Sequence, residues 1–228
     1  MTSAVIVAAG RGARMETGQD KLFLEVAGLP VVGHTWRQFD QHPDINEIIM
    51  VVRDDARQRF EELARQLELT KEHSFTSGGI DRQDSVINGI AAVNGECKIV
   101  AIQDGARPCT SSETITGTIL AARETGAAVA SCKITDTIKL ADEQKIIVQN
   151  VDRTKLWAVQ TPQVFRLKVI REAMAEVRSK NANITDDTAA CELIGQSVTL
   201  VPTTTQNPKV TTPADLPLVE LLLRQQSQ

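Results

Sequence analysis

Tyrosine is missing from this chain, aromatic residues make up only 3% of it, and the net charge is -4. Nucleic-acid surfaces need a basic footprint and often stacking rings, so a polymer partner is excluded and a free nucleotide fits better. Histidine is scarce. The four cysteines (Cys97, Cys109, Cys132, Cys191) form no C-x-x-C pair and have no neighbouring histidine, so neither zinc nor a redox couple is indicated. Scattered thiols suit a reducing cytosol. No apolar stretch approaches the ~20 residues of a membrane span, and no basic segment precedes the first apolar run. The expectation is a cytoplasmic protein with no membrane partner.

What is present is core-forming material: 42% of the 228 residues are hydrophobic, enough for one large α/β domain over residues 1–228. Short apolar runs rich in valine or isoleucine occupy Ala4 to Ala9, Glu47 to Val52, Lys98 to Gln103 and Ala127 to Ser131. Such runs read as strands buried on both faces. Between them, residues keep helical spacing: Val31, Val32, Trp36 and Phe39; Phe60, Leu63 and Leu67; Val86, Ile87, Ile90 and Val93; Ile115, Ile119 and Ala122. The alternation predicts a doubly wound, mostly parallel sheet with helices on both faces. Helix starts are marked by Asp54 or Asp55, by Asp84 or Ser85, and by Ser111 or Ser112, and Gly126 marks a helix end.

From Thr135 the sequence TDTIKLADEQKIIVQNV gives two strand-like pieces around the polar stretch Ala141 to Gln144, which predicts a β-hairpin. An isolated hairpin is marginal in water, so residues 134–155 are expected to form an arm that packs on the main domain or on a second subunit. A strand around Trp157 to Gln160 follows, then a helix with Leu167, Ile170, Met174 and Val177 on one face. A short helix opened by Thr185 and closed near Gly195, a strand over Val198 to Val201, and a last helix capped by Thr212 with Pro213 behind it complete the reading.

The chemistry starts at AVIVAAGRGARM, Ala4 to Met15, where an apolar strand breaks into Gly10 and Gly12 and meets Arg11, Arg14 and, further on, Lys21. Glycines without side chains let backbone N–H groups close around anionic oxygens, and the cations lie where a polyphosphate would. A dinucleotide fingerprint needs a third glycine where Met15 stands, and a Walker A loop needs Lys-Ser/Thr directly after its last glycine, where Ala13 stands. Neither motif is present. The pattern points to a nucleoside triphosphate, against the bland alternative of a glycine-containing βα turn.

In open parallel sheets ligands bind beyond the carboxyl ends of the strands, and four further clusters fall there. Gly78-Gly79 precedes Arg82, Asp84 and Ser85, a turn that closes over a base or ribose or merely caps a helix. Asp104 ends a central strand with Arg107 after it, a carboxylate suited to a metal or a ribose, or a turn cap paired with Arg107. The hairpin carries Asp136-Thr137 and Asp152-Arg153, which reach a neighbouring phosphate or belong to a solvated arm. The fourth cluster joins Gln160-Thr161-Pro162-Gln163, Thr185-Asp186-Asp187 and Asn207-Pro208-Lys209. Lys209, read alone, is an isolated cation in a late loop.

The succession AAGRGARM, Lys21, GGIDRQDS, DGARP, DT.K, VDR, QTPQVF, ITDD and NPKVT, running from Ala4 to about Pro213, resembles the 2-C-methyl-D-erythritol 4-phosphate cytidylyltransferase family of the non-mevalonate isoprenoid pathway. The resemblance implies a Rossmann-like nucleotidyltransferase fold, a homodimer with interlocking arms, transfer of CMP from CTP to a sugar-alcohol phosphate with release of pyrophosphate, and Mg²⁺ as cofactor. By motif, Arg14 and Lys21 match transition-state stabilisers, while Ala8, Ala9, Gly10, Gly12, Gly79 and Ser85 match the nucleotide side. Asp104 matches the acidic strand end, on the nucleotide side and as a metal ligand, and Arg107 beside it matches a substrate-binding position. Thr137 and Arg153 match substrate-phosphate contacts, Lys209 a lysine near both phosphates, and Thr161 and Thr185 the substrate pocket. Gly105, Gln103 and Ile80 depart from the usual pattern. Two rivals remain open: a sister cytidylyltransferase acting on ribitol 5-phosphate, and a noncatalytic nucleotide-sensing module.

Overall fold

A computed structural model describes residues 1–10 and 20–226. Along the described residues the elements are β1 (Thr2–Val7), β2 (Glu25–Val26), β3 (Leu29–Pro30), α1 (Val31–Gln41), β4 (Glu47–Val52), α2 (Arg57–Leu67), β5 (Glu72–Ser77), α3 (Arg82–Ala92) and β6 (Ile99–Asp104). They continue with α4 (Ser112–Thr125), β7 (Ala127–Lys133), β8 (Ile138–Ala141), β9 (Ile147–Val151), β10 (Trp157–Arg166), α5 (Leu167–Ser179), α6 (Asp187–Glu192), β11 (Thr199–Pro202) and α7 (Leu216–Gln226). Seven strands form one sheet in the order β11-β7-β10-β6-β1-β4-β5. Every neighbouring pair is parallel except those that β10 makes with β6 and β7.

Strand alternation builds two cores. In β1 and β4, Ala4, Ile6, Ile48 and Met50 face one side with Trp36, Phe39, Phe60, Ile115 and Val219 from α1, α2, α4 and α7. Val5, Ile49 and Val51 face the other, against Val86, Ile90, Ile170, Met174 and Val177 from α3 and α5. Both faces are covered, which is why these strands read as continuous apolar runs. From the central β1 the chain builds outward to β4 and β5 on one side and to β6 on the other, so the crevice at the carboxyl end of β1 is a topological switch point.

Several expectations shift. The first strand spans Thr2–Val7 rather than Ala4 to Ala9, freeing Ala8 and Ala9 for the following turn. Helix α3 is capped by Asp81, whose side chain accepts from the Asp84 N–H, so it starts ahead of Asp84 and Ser85. Asp54 and Asp55 form a single 3-10 turn before α2. The late short helix is capped by Asp186, not opened by Thr185, because Asp186 accepts from the Ala189 N–H. The strand at Trp157 runs on to Arg166. Strand β5 and the β2–β3 ribbon had no apolar signal: β5 is a half-exposed edge strand reading EHSFTS. Ser111 and Gly126 cap α4 as expected, with Gly126 at φ 99° accommodating the turn. Strands β8 and β9 pair antiparallel as a separate two-stranded ribbon with Leu140, Ile146, Ile147 and Val148 between 52% and 64% exposed.

Candidate active site

Four strand ends frame one cavity of about 840 Å³: Ala8-Ala9-Gly10 after β1, Arg53 after β4, Gly78-Gly79 after β5, and Asp104 closing β6, with Lys21 and Lys209 also on its wall. Backbone pairing continues past the strands and fixes these loops, since the N–H groups of Ala8, Gly78 and Gly105 donate to Val51, Val52 and Val7 at 2.8, 2.8 and 2.9 Å. A side chain is impossible at Gly78 or Gly79. A Cβ there would lie 2.3 Å from Ala9 Cβ or 2.1 Å from Asp84 Cβ. Ser85 completes the turn: its Oγ accepts from the Gly79 N–H at 3.0 Å and donates to the Asp81 carbonyl at 2.8 Å.

Asp104 is the electrostatic centre. Lys209 Nζ donates to its Oδ2 at 2.7 Å, Arg82 Nε to its Oδ1 at 3.4 Å, and Arg107 Nε lies 3.8 Å from Oδ2. Burial alone would raise the Asp104 pKa, but the attraction of Lys209, then of Arg82, outweighs it, and the carboxyl titrates below its ordinary value. Arg82 turns its other edge to Asp187, donating through Nη1 and Nη2 at 3.0 and 2.8 Å. Asp187 is fully buried, and there desolvation wins over the pull of Arg82, so its pKa rises. Burial works against the Arg82 charge, yet Asp187 and Asp104 more than offset it and strengthen the proton's hold. On the cavity wall Lys209 and Arg82 gather on Asp104, and Lys21 stands on the same wall.

The positions singled out from the sequence distribute unevenly. Ala8, Ala9, Gly10, Lys21, Gly79, Ser85, Asp104 and Lys209 share the cavity. Lys21 Nζ donates to the Val210 carbonyl at 2.9 Å, which brings the two ends of the chain together. Lys209 is therefore no isolated loop cation. Thr161 is buried behind the cavity, its Oγ1 accepting from the Asp104 N–H at 3.0 Å. Arg107 donates through Nη1 to the Asn207 carbonyl at 2.6 Å, while its buried Nε has no hydrogen-bond partner among the described residues. Thr185 is exposed just ahead of α6, and Thr137 and Arg153 are exposed at the base of the hairpin, with Arg153 Nη1 donating to the Thr135 carbonyl. Gly12 and Arg14, with Arg11, lie outside the described residues.

Sequence reading passed over Arg53, and it named Asn207 and Asp187 in the fourth cluster without a role for either. Arg53 donates to the Gly10 carbonyl at 3.2 Å and to Asp20 Oδ2 at 3.0 Å, and only the β4 end could have flagged it. Asn207 ties Thr161 to the late loop through a 2.9 Å bond from its Nδ2 to the Thr161 carbonyl. Asp187 stood in a named motif, but its bidentate pairing with Arg82 spans a long sequence separation that no local pattern reveals.

A doubly wound sheet whose strand ends present glycine turns and a carboxylate ringed by cations defines an enzyme that handles nucleotide phosphates, a nucleotidyltransferase. The family model described as "IspD: 2-C-methyl-D-erythritol 4-phosphate cytidylyltransferase" matches residues 2–225. A relative of that name from Caldanaerobacter subterraneus subsp. tengcongensis is 42% identical over 223 residues, covering 97% of this chain and 98% of the relative. One from Geobacillus kaustophilus is 40% identical over 220 residues, covering 96% of each. Among solved structures, 4-diphosphocytidyl-2C-methyl-D-erythritol synthase from Anaerococcus prevotii superposes with a TM-score of 0.87 at 28% identity, covering 98% of both chains. The 2-C-methyl-D-erythritol 4-phosphate cytidylyltransferase from Thermus thermophilus gives a TM-score of 0.79 at 30% identity, covering 96% of this chain and 98% of that one. The chain belongs to the 2-C-methyl-D-erythritol 4-phosphate cytidylyltransferase family.

Proposed function

We propose that this enzyme transfers CMP from CTP to 2-C-methyl-D-erythritol 4-phosphate, forming 4-diphosphocytidyl-2-C-methyl-D-erythritol and pyrophosphate in the non-mevalonate pathway. A phosphate oxygen of the sugar phosphate attacks the α-phosphorus of CTP as the bond to the bridging α–β oxygen breaks. That oxygen is already anionic, so no general base is required. Repulsion between anions is the obstacle, and preorganised cations in a water-poor cleft are what lower it. The observation that supports this reading is the convergence of Lys21 and Lys209 on one cavity beside Asp104, with the glycine turns opposite.

In this reading Lys21, with Arg14, stabilises the charge on the five-coordinate phosphorus. Lys209 exchanges its Asp104 partner for the incoming phosphate. Ala8, Ala9, Gly10, Gly12 and Gly79 offer backbone groups to the nucleotide, with Ser85 holding the Gly79 amide in place. Arg107 and Thr185 belong to the sugar-phosphate side, and Thr161, buried behind it, holds the Asp104 amide in place. Mg²⁺ takes hard oxygen ligands and keeps much of its water, so one carboxylate with phosphate oxygens suits it, and Asp104 at the cavity wall is the fitting donor. When bound, the ion would neutralise charge on the triphosphate.

The exposed apolar residues of the β8–β9 arm support a homodimer in which each arm lies against the other subunit and delivers Thr137 and Arg153 to its cavity. Among the described residues no helix is long and apolar enough to cross a membrane, and the reaction is assigned to the cytoplasm, where free thiols such as Cys132 persist.

The test is pyrophosphate release from CTP and Mg²⁺ with 2-C-methyl-D-erythritol 4-phosphate and ribitol 5-phosphate in competition. Preference for the erythritol is expected. Preference for ribitol would assign the sister activity, and CTP binding without turnover would leave only a nucleotide sensor.

A further inference from the structure

One polar chain crosses the floor of the cavity and joins elements that belong to different halves of the site. Arg82 opens α3, directly after the Gly78-Gly79 turn on the nucleotide side. Asp187 opens α6, directly after the segment bearing Thr185 on the sugar-phosphate side. Between them stands Asp104 at the end of β6, which also holds Lys209. A second tie runs parallel to the first, since the Ile184 N–H donates to Gln83 Oε1 at 3.5 Å. Behind α6 the chain is anchored to β10. Gln163 Oε1 accepts from the Asp187 N–H at 3.0 Å, and Gln163 Nε2 donates to Asp186 Oδ2 at 3.1 Å.

The physics of this arrangement is lopsided. Asp187 has no solvent exposure, so an ionised carboxylate there without Arg82 would be an unpaired buried charge, a costly state. Arg82 is thereby held on α6. Its planar guanidinium spends one edge on both Asp187 oxygens and keeps Nε for Asp104, a fork that an ammonium cannot reproduce. Arg82 thus links α6 to Asp104 and to the turn before α3 through direct side-chain contacts.

We propose that the Arg82–Asp187 pair is a positioning device that couples the two substrate half-sites, so that occupancy of the nucleotide side tightens the sugar-phosphate side and the reverse. This rests on the cytidylyltransferase reading, in which the Gly79 turn faces CTP and the Thr185 segment faces the sugar phosphate. Neither residue is given a bond-making role. Coupling between sites is reciprocal and is worth about 5–150-fold in affinity in typical cases.

The test titrates 2-C-methyl-D-erythritol 4-phosphate into the full-length enzyme by calorimetry, with and without saturating α,β-methylene-CTP and Mg²⁺. Wild type, Arg82→Lys and Asp187→Asn are compared, with a melting temperature for each. The expected result is tighter binding of the sugar phosphate to wild type when the analogue is present, and a coupling factor at least about fivefold smaller in both variants. Arg82→Lys keeps the charge on a partly exposed side chain and so gives a folded probe even where Asp187→Asn does not. Undiminished coupling in a folded variant overturns the proposal, as does the absence of coupling in wild type. Failure of both variants to fold assigns the pair to stability and overturns it as well. A wild type that releases no pyrophosphate from CTP with this sugar phosphate would instead sink the reaction assignment, a separate outcome.

Discussion

Asp104 and Arg153 are both charged residues placed in the reaction, yet their surroundings are opposite. Asp104 is almost enclosed, held by Lys209 at 2.7 Å and Arg82 at 3.4 Å on a strand end that neighbouring strands cannot let move. Arg153 stands exposed at the foot of a ribbon whose two strands pair only with each other, with apolar side chains facing outward. The cavity carries its own counter-charges and is organised before any ligand arrives. The arm has geometry but no counterpart among the described residues, and gains one on dimerisation in the proposed assembly. Preorganisation in one half and assembly in the other is the division the experiments below can break.

The largest effect is expected in the cavity. Lys209→Met should lower kcat by on the order of a hundredfold or more, the scale of losing one preorganised charge stabiliser, with a much smaller loss of stability because Arg82 and Arg107 still face Asp104. Steady-state pyrophosphate release and thermal unfolding check both halves of that statement. A comparable loss of stability would mean that Lys209 is structural.

Next comes the arm. Mixing inactive Lys21→Met and Arg153→Ala chains under subunit exchange should restore activity to about a quarter of the wild-type level, because random pairing leaves one intact site in each mixed dimer. No recovery after confirmed exchange would return the arm to its own subunit's cavity. A smaller step in the same direction replaces Ile147 and Val148 with aspartate. Both are exposed at 63%, so each change should alter chain stability by no more than about 0.5 kcal/mol, while sedimentation shows monomers.

The smallest effect is electrostatic. The folded-state pKa of Asp104 is depressed, so its contribution to stability is fully present above the ordinary aspartate value of ~3.9 and is lost as pH falls through the lowered folded value. Melting temperatures from pH 5 down to pH 2 should fall more steeply for wild type than for Asp104→Asn. Parallel slopes would remove Asp104 from the acid response.

Much of this contrast was legible in the sequence. Buried strands such as Glu47–Val52 announced themselves as unbroken apolar runs because both faces are covered, and the alternation of strand and helix placed Asp104 at a strand end. The half-polar edge strand Glu72–Ser77 escaped because an edge needs less apolar surface. Helix starts were misplaced where two acidic or hydroxyl residues competed, and Asp81 and Asp186 won because their side chains reach the free N–H groups of the first turn. The glycine turns could be read locally. The pairing of Lys209 with Asp104 and of Arg82 with Asp187 could not, since each depends on how distant strand ends and loops meet in three dimensions.

The central claim is that fixed cations allow one phosphate anion to attack another, and Lys21 is the described residue on which it rests most heavily. Pre-steady-state pyrophosphate release by Lys21→Met at saturating CTP and 2-C-methyl-D-erythritol 4-phosphate measures this directly. The account predicts a chemical step slowed by on the order of a hundredfold or more in a folded enzyme, and a step as fast as wild type would contradict it.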